Sequence, residues 1–126
     1  MFKIHHIDIW VNNTNESIKF YQALGFNKIK ETKDLEQNKE IIIMELNNIL
    51  LEIKHHYIGK CEHNKTECND NKIFGLSVDN IDNAKDFIES KSLTSEKIVI
   101  KQGILGQRYF LIHDPNGILI EVIEEN

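Results

Sequence analysis

Residues 116–123 read Asn-Gly-Ile-Leu-Ile-Glu-Val-Ile, an apolar run with one charged residue, Glu121. The run has the composition of a buried strand. Burying an unpaired carboxylate costs several kcal/mol or forces the group to take up a proton. Glu121 is therefore expected to have a partner, to face a wet cavity or to hold a metal, unless one face of the strand is simply exposed to solvent.

The same pattern occurs earlier in the chain, where residues 47–53 read Asn-Asn-Ile-Leu-Leu-Glu-Ile. A shift of 69 residues places Glu52 on Glu121, with four identities in seven positions. A shift of 67 residues aligns three further pairs: Val11 with Val78, Asn13 with Asn80 and Phe20 with Phe87. This repeat predicts two strand–helix–three-strand modules in one domain over 1–126: about 2–54, a connecting loop at about 55–71, and about 72–126.

Periodicity and turn residues predict the elements of each module. Alternation from Lys3 to Val11 predicts a strand with His6, Asp8 and Trp10 on one face and His5 on the other. Asn13 starts a helix with capping-box spacing to Glu16, and Gly25 ends it. Further strands are predicted at 26–31, 40–46, 49–54, 72–78, 97–101, 108–113 and 118–123, a second helix at about 82–91, and turns at 47–48 and 114–117.

Composition excludes several classes of protein. The chain has 126 residues, of which 40% are hydrophobic and 28% charged, as in an ordinary globular protein. The longest apolar run, Ile41 to Met44, is too short to cross a bilayer, and no leader precedes the first strand, so we expect a cytoplasmic protein. The net charge is −5 with no basic block, which argues against nucleic-acid binding.

The repeat also singles out a set of four positions. The shift of 67 residues places His6 on Ile73, and a two-fold arrangement of the modules would bring these two together with Glu52 and Glu121. One imidazole and two carboxylates suit Mn, Fe, Co, Ni or Zn. Such an ion can polarise a carbonyl and stabilise the enediolate left after proton removal, with Glu52 or Glu121 as the base.

Several motifs together resemble the glyoxalase/bleomycin-resistance/extradiol-dioxygenase superfamily, the vicinal oxygen chelate fold. They are His6 followed by Ile9 and Val11, Phe20-Tyr21 before Leu24-Gly25-Phe26, Leu76 to Asn80, and Asp114-Pro115-Asn116-Gly117 before Ile120-Glu121. The resemblance implies an α+β fold of two βαβββ modules, whose curved mixed sheets enclose a cavity, often in a dimer. It also implies metal ligands at His6, Glu52 and Glu121.

Ile73 departs from the family pattern, in which metal-dependent members carry His or a carboxylate at that position. Ring cleavage of the dioxygenase type is therefore disfavoured, and assignment to glyoxalase I is weakened. His5 is not expected to substitute, because it points to the face of the strand opposite His6. A three-ligand site and a cavity that no longer binds metal both remain open.

Four other side chains each have two possible roles. Trp10 could wall a ligand cavity or plug it. Lys54 could contact a substrate anion, but a salt bridge with Glu52 is slightly favoured. Arg108, the only arginine, could bind an anionic substrate or lie at the surface. His113 is expected to be structural or exposed.

The connecting loop concentrates side chains that can bind metal: His55, His56, Cys61, His63 and Cys68. Six residues separate the two cysteines, a spacing that fits no common zinc module. Two cysteines are also too few for a disulfide framework. A mobile loop bordering the cavity is favoured over a zinc site.

The leading hypothesis is a glyoxalase-like, metal-dependent lyase or isomerase that transfers a proton on a small carbonyl-containing substrate, as a homodimer. The metal would be held by His6, Glu52 and Glu121. The second hypothesis is a metal-free protein that binds or sequesters a small molecule of the antibiotic type, with the glutamates contacting a cationic ligand. A third, weaker one is a domain that serves only as a partner surface.

Overall fold

The computed structural model describes residues 1–56 and 72–125. The chain divides into two compact units, Met1–Asp70 and Asn71–Asn126. Within the described residues, each unit carries a strand, a helix and three further strands, and the four strands form one sheet. The predicted α+β class with two βαβββ modules is confirmed. The single domain over 1–126 and the enclosed cavity stay predictions.

The first unit has a mixed sheet in the order β1-β4-β3-β2. β1 and β4 are parallel, and the other neighbouring pairs are antiparallel. Its elements are β1 (His6–Trp10), α1 (Thr14–Ala23), β2 (Asn27–Asp34), β3 (Lys39–Leu46) and β4 (Ile49–His56).

The second unit repeats this plan with its sheet in the order β5-β8-β7-β6. Here β5 and β8 are the parallel pair. Its elements are β5 (Ile73–Val78), α2 (Ile81–Ser90), β6 (Lys101–Gln102), β7 (Arg108–His113) and β8 (Leu119–Glu124).

Strand register confirms the internal repeat residue by residue. In the first unit His6 lies opposite Leu50, and Asp8 lies opposite Glu52. In the second unit the corresponding pairs are Ile73 with Leu119 and Gly75 with Glu121. Ile73 is therefore the structural counterpart of His6, and Gly75 is the counterpart of Asp8.

The helix caps follow the predicted chemistry. The Asn13 side-chain oxygen accepts a hydrogen bond from the Glu16 backbone N–H at 2.9 Å, and Asn80 accepts one from Asn83 at 2.9 Å. These bonds satisfy N–H groups that have no partner within the helix. Gly25 follows the C-terminal end of α1 with a φ of +108°, a conformation that costs glycine little.

Two turns set where the last strand of each module begins. Asn47 and Asn48 have φ values of +50° and +65°, as a two-residue type I′ hairpin requires, and they join β3 to β4. Before β8, the buried Asp114 carboxylate accepts hydrogen bonds from the backbone N–H groups of Asn116 at 2.8 Å and Ile118 at 2.9 Å. Both turns were predicted.

Buried apolar side chains line the inner strands and the helices. In the first unit Tyr21 is fully buried and makes edge-to-face contacts with Phe20 and Phe26, at ring-centroid distances of 5.0 and 5.5 Å. The remaining core residues of the first unit are Ile9, Val11, Ile42, Met44, Leu51 and Ile53. Those of the second unit are Ile81, Ile88, Ile98, Phe110, Ile112, Ile118, Ile120 and Val122.

Four predicted strands differ from the structure by two or more residues at one end. β2 continues to Asp34 instead of ending at Glu31. β1 begins at His6 rather than Lys3, because its partner β4 begins only at Ile49, after the hairpin, so earlier residues overhang the ladder. β4 continues through His56 instead of ending at Lys54. The strand expected at 97–101 is reduced to Lys101–Gln102. Ile98 is nevertheless buried, so its apolar pattern reports burial rather than strand pairing.

Replacing a core isoleucine should destabilise the protein far more than replacing an exposed one. Ile120 is 0% exposed and Ile104 is 104% exposed. We expect Ile120→Ala to lower the free energy of unfolding by about 2–5 kcal/mol through lost transfer energy and an incompletely filled cavity. Ile104→Ala should change it by less than about 0.5 kcal/mol. Urea denaturation followed by circular dichroism measures both, and equal effects would contradict the assigned core.

Candidate functional site

The parallel pairing of β1 and β4 places a polar cluster on one face of the first sheet. Successive side chains of a strand alternate between faces, and Asp8 lies opposite Glu52. His6 and Lys54 lie two residues away on their strands and share this face. The other face carries the buried Ile9 and its neighbours on β4.

His6, Asp8 and Glu52 converge. The His6 Nε2 atom lies 3.0 Å from Glu52 Oε2 and 3.3 Å from Asp8 Oδ1. One ligand atom from each of the three residues lies within 4.8 Å of the others. Imidazole nitrogen and carboxylate oxygen are donors that Mn, Fe, Co, Ni and Zn accept. The donor set therefore fits a divalent ion.

Lys54 belongs to the same cluster through Asp8. Its Nζ atom lies 3.3 Å from Asp8 Oδ1 and 5.9 Å from the centroid of the Trp10 ring. The salt bridge that the sequence favoured with Glu52 is thus made with Asp8. The register explains this, because Lys54 lies opposite Trp10, which is two residues from Asp8 on the same face of β1.

The two carboxyl groups differ in acidity. Burial raises the pKa of the Glu52 carboxyl, and its hydrogen bond with Asp8 raises it further. Burial also acts to raise the pKa of Asp8, but the hydrogen bond from Glu52 and the positive charge of Lys54 outweigh burial, so the Asp8 pKa is lowered. A proton held between the two carboxyl groups therefore resides on Glu52. A carboxyl group adjusted in this way is suited to proton transfer.

His5 contacts His6 directly, contrary to the prediction that it points to the opposite face. The Nδ1 atoms of the two rings are 2.7 Å apart, and the rings meet edge to face at a centroid distance of 4.9 Å. The prediction was wrong because strict alternation holds only inside a strand, and β1 begins at His6. With a hydrogen between the two Nδ1 atoms, His5 fixes the orientation of the His6 ring.

Trp10 lies at the end of β1 and stacks on His56. The ring centroids are 4.6 Å apart and the planes differ by 6°. His55 Nδ1 lies 3.0 Å from the Val11 carbonyl oxygen. His55 and His56 are therefore part of β4 and not of a loop. Cys61, His63 and Cys68, the other members of the predicted loop cluster, lie outside the described residues.

Glu121 lies on β8 of the second unit, between Gly75 on β5 and Leu111 on β7. It is partly buried. Ile73 is 61% exposed and offers no lone pair. With Gly75 at the position of Asp8, the second unit has one carboxylate where the first has two. The role of Glu121 as a metal ligand with His6 and Glu52 stays a prediction.

Arg108 is engaged in ion pairs. Its guanidinium lies 3.1 Å from Glu124 Oε2 and 3.3 Å from Asp82 Oδ2. Glu124 Oε2 also accepts a hydrogen bond from the backbone N–H of Ile81 at the start of α2, at 2.9 Å. The arrangement ties β7 and β8 to the first turn of α2. A role for Arg108 in contacting substrate stays a prediction. Its ion pairs give the residue a structural role that requires no substrate.

Two residues of the cluster received no functional role from the sequence. Asp8 was recognised as sharing a face with His6, but its counterpart in the repeat is Gly75, so the repeat gave no reason to select it. Its i, i+2 spacing from His6 was the available signal. His5 was rejected as a substitute ligand because the predicted strand began at Lys3, which placed His5 inside the strand and on the face opposite His6.

The sequence matches the family model of the Glyoxalase/Bleomycin resistance protein/Dioxygenase superfamily over residues 3–122. The chain belongs to this superfamily, and the resemblance seen in the sequence is confirmed. No curated protein matches significantly. Within the residues that the structure describes, no helix is long and apolar enough to span a membrane.

Solved structures of the superfamily share the fold. A glyoxalase family protein from Enterococcus faecalis is 23% identical, with a TM-score of 0.79 and 97% of each chain covered. Glyoxalase I from Leishmania major is 18% identical, with a TM-score of 0.74, covering 99% of this chain and 88% of that one. A bleomycin-binding protein in complex with bleomycin is 15% identical, with a TM-score of 0.68 and 100% of both chains covered. Identities this low show the fold alone.

The Glu124 carboxylate should stabilise the second unit in a pH-dependent way. The Ile81 N–H, and after it the Arg108 guanidinium, lower its pKa in the folded protein. Its contribution is therefore complete above the ordinary pKa of a glutamate and is lost as the pH falls through the lowered folded value. We expect Glu124→Gln to reduce Tm at pH 7 and the reduction to shrink in acid. Thermal denaturation across pH tests this, with the exposed Glu125→Gln as the control; a reduction that grows in acid would contradict it.

Proposed function

We propose that the protein is a metal-dependent lyase or isomerase of the glyoxalase type, which transfers a proton on a small carbonyl-containing substrate. The observation that carries the proposal is the 3.0 Å approach of His6 Nε2 to Glu52 Oε2 on neighbouring parallel strands. Membership of the superfamily supports the reaction class, and the likeness to a glyoxalase I is consistent with it. His6 and Glu52, which meet in the first unit, are the proposed ligands, and Glu121 was the third ligand expected from the sequence.

The residues of this chain would divide the work as follows. A bound divalent ion would polarise the substrate carbonyl and stabilise negative charge on its oxygen. A glutamate carboxylate removes the proton from a hydroxyl-bearing carbon next to the carbonyl and becomes a neutral acid, leaving an enediolate. Returning that proton to the former carbonyl carbon, while the hydroxyl proton passes to the former carbonyl oxygen, completes an isomerisation. The raised pKa of Glu52 supports this residue as the proton carrier.

A metal-free binding protein is the second candidate. Two observations favour it. Ile73, the counterpart of His6 in the second unit, has no side-chain atom that can bind a metal. The Lys54 ammonium already supplies a positive charge to Asp8. The fold is shared with a bleomycin-binding protein. In this case the glutamates would contact a cationic group of a small molecule, and Trp10 would supply apolar surface.

The remaining proposals concern the cellular location, the oligomeric state and the partners of the protein. We expect a cytoplasmic homodimer that takes a small-molecule substrate or ligand and binds no nucleic acid. The net charge of −5 supports the last point. Light scattering after size-exclusion chromatography determines the oligomeric state.

Metal content separates the two candidate functions. We expect protein purified without chelator to carry close to one divalent ion per chain, because three donors of suitable chemistry are proposed to hold it. His6→Ala and Glu52→Ala should each lose the ion, as measured by inductively coupled plasma mass spectrometry.

The matched control is His113→Ala, which removes an exposed histidine that pairs with Glu96 at 2.7 Å. This variant should keep its metal. Wild-type protein that contains no metal and takes up none on titration would rule out the enzyme proposal and favour the metal-free binding protein.

A further inference from the structure

We propose that His6, Asp8 and Glu52 form a divalent-cation site contained within the first unit, and that Lys54 competes with the cation for Asp8. The proposed metal-dependent function supplies a use for this site, but the site itself requires no residue of the second unit. Asp8 thus provides the ligand that Ile73 does not.

The spacing of the donors matches a coordination sphere. Two ligand atoms bound at about 2.1 Å to one ion, at angles of 90–110°, are about 3.0–3.4 Å apart. His6 Nε2 lies 3.0 Å from Glu52 Oε2 and 3.3 Å from Asp8 Oδ1. An ion therefore needs only small side-chain rotations to contact all three residues, while water fills the remaining positions.

His5 supplies an independent indication. Histidines that bind metal usually donate a hydrogen bond from the other ring nitrogen, which fixes the tautomer and directs the free lone pair to the ion. The Nδ1 atoms of His5 and His6 are 2.7 Å apart, so one hydrogen is shared between them. When His6 donates it, His6 Nε2 carries a lone pair directed toward Asp8 and Glu52.

Lys54 gives the site a competing cation. Its ammonium lies 3.3 Å from Asp8 Oδ1, on the oxygen that also faces His6. A divalent ion on Asp8 would repel this ammonium at short range, so the ion and Lys54 cannot both hold the carboxylate at full strength. Lys54 therefore weakens cation binding and sets the concentration at which the site fills.

The register excludes an equivalent site among the described residues of the second unit. The positions of His6 and Asp8 are occupied there by Ile73 and Gly75, which have no side-chain donor. Glu121 alone has a counterpart, in Glu52. Among the described residues a single cation site is therefore expected, and it should not depend on Glu121.

The experiment measures binding of Co²⁺ and Zn²⁺ to the full chain by isothermal titration calorimetry, with the Co²⁺ absorption spectrum as a second readout of the ligand set. Asp8→Asn should weaken the Kd by about tenfold or more, because one anionic ligand is lost. Lys54→Met should tighten the Kd by about tenfold or more, because the competing charge is gone. Glu121→Gln should leave the Kd within about threefold of the wild-type value.

Two control variants match the substitutions in chemistry but lie on α2. Asp86→Asn neutralises an exposed carboxylate, and Lys85→Met removes a lysine that pairs with Glu89 at 3.1 Å. Neither should change the Kd or the Co²⁺ spectrum. Thermal denaturation verifies that each variant is folded, and the Lys54→Met arm tests the proposal independently should Asp8→Asn fail to fold.

The outcomes separate this inference from the proposed function. Unchanged binding in Asp8→Asn with loss in Glu121→Gln would overturn the inference and leave the metal-dependent enzyme standing. Loss in both variants would overturn the claim that the site lies within the first unit. Binding by Lys54→Met but not by wild type would support the inference and refute a metal-dependent wild-type enzyme. No binding by wild type and Lys54→Met would overturn both.

Discussion

The parallel pairing of β1 with β4 is the constraint on which the candidate site depends. It places Asp8 opposite Glu52 and brings His6 within 3.0 Å of that glutamate. A shift of one residue would move every side chain of a strand to the other face and would bury the acids among the core isoleucines. The Asn47-Asn48 hairpin sets the start of β4, so a two-residue turn helps to fix the geometry of the cluster.

Electrostatics explains why this cluster tolerates two acids on one half-buried face. Like charges on opposed strand positions repel, and partial burial adds a cost of desolvation. The first unit relieves both by raising the pKa of Glu52, so that it retains a proton more readily, and by placing the Lys54 ammonium against Asp8. An arrangement that needs positive charge for its own stability is also one that can accept a metal cation. The candidate site and the stability of the first unit are therefore linked.

Much of the fold could be read from local chemistry. Asn13 and Gly25 marked the ends of α1, and the turn at Asp114 marked the start of β8, because capping and turn formation involve only near neighbours in the chain. The repeat identified Glu52 and Glu121 as counterparts. The strand at 97–101 was overestimated because Ile98 is buried without being paired for the length of a strand. Apolar periodicity reports burial, and pairing depends on a partner elsewhere in the chain.

The sequence by itself determined the two βαβββ modules through periodicity and turn chemistry, and its internal repeat singled out the candidate ligands His6 and Glu52. Its motifs, by their resemblance to a known superfamily, indicated the family. Only the tertiary structure decided which charged groups meet. It joined Lys54 to Asp8, placed His5 against His6 and engaged Arg108 with Glu124. Such contacts are set by strand register and by where a strand begins. Both are properties of paired segments distant in sequence, so no single stretch of residues contains them.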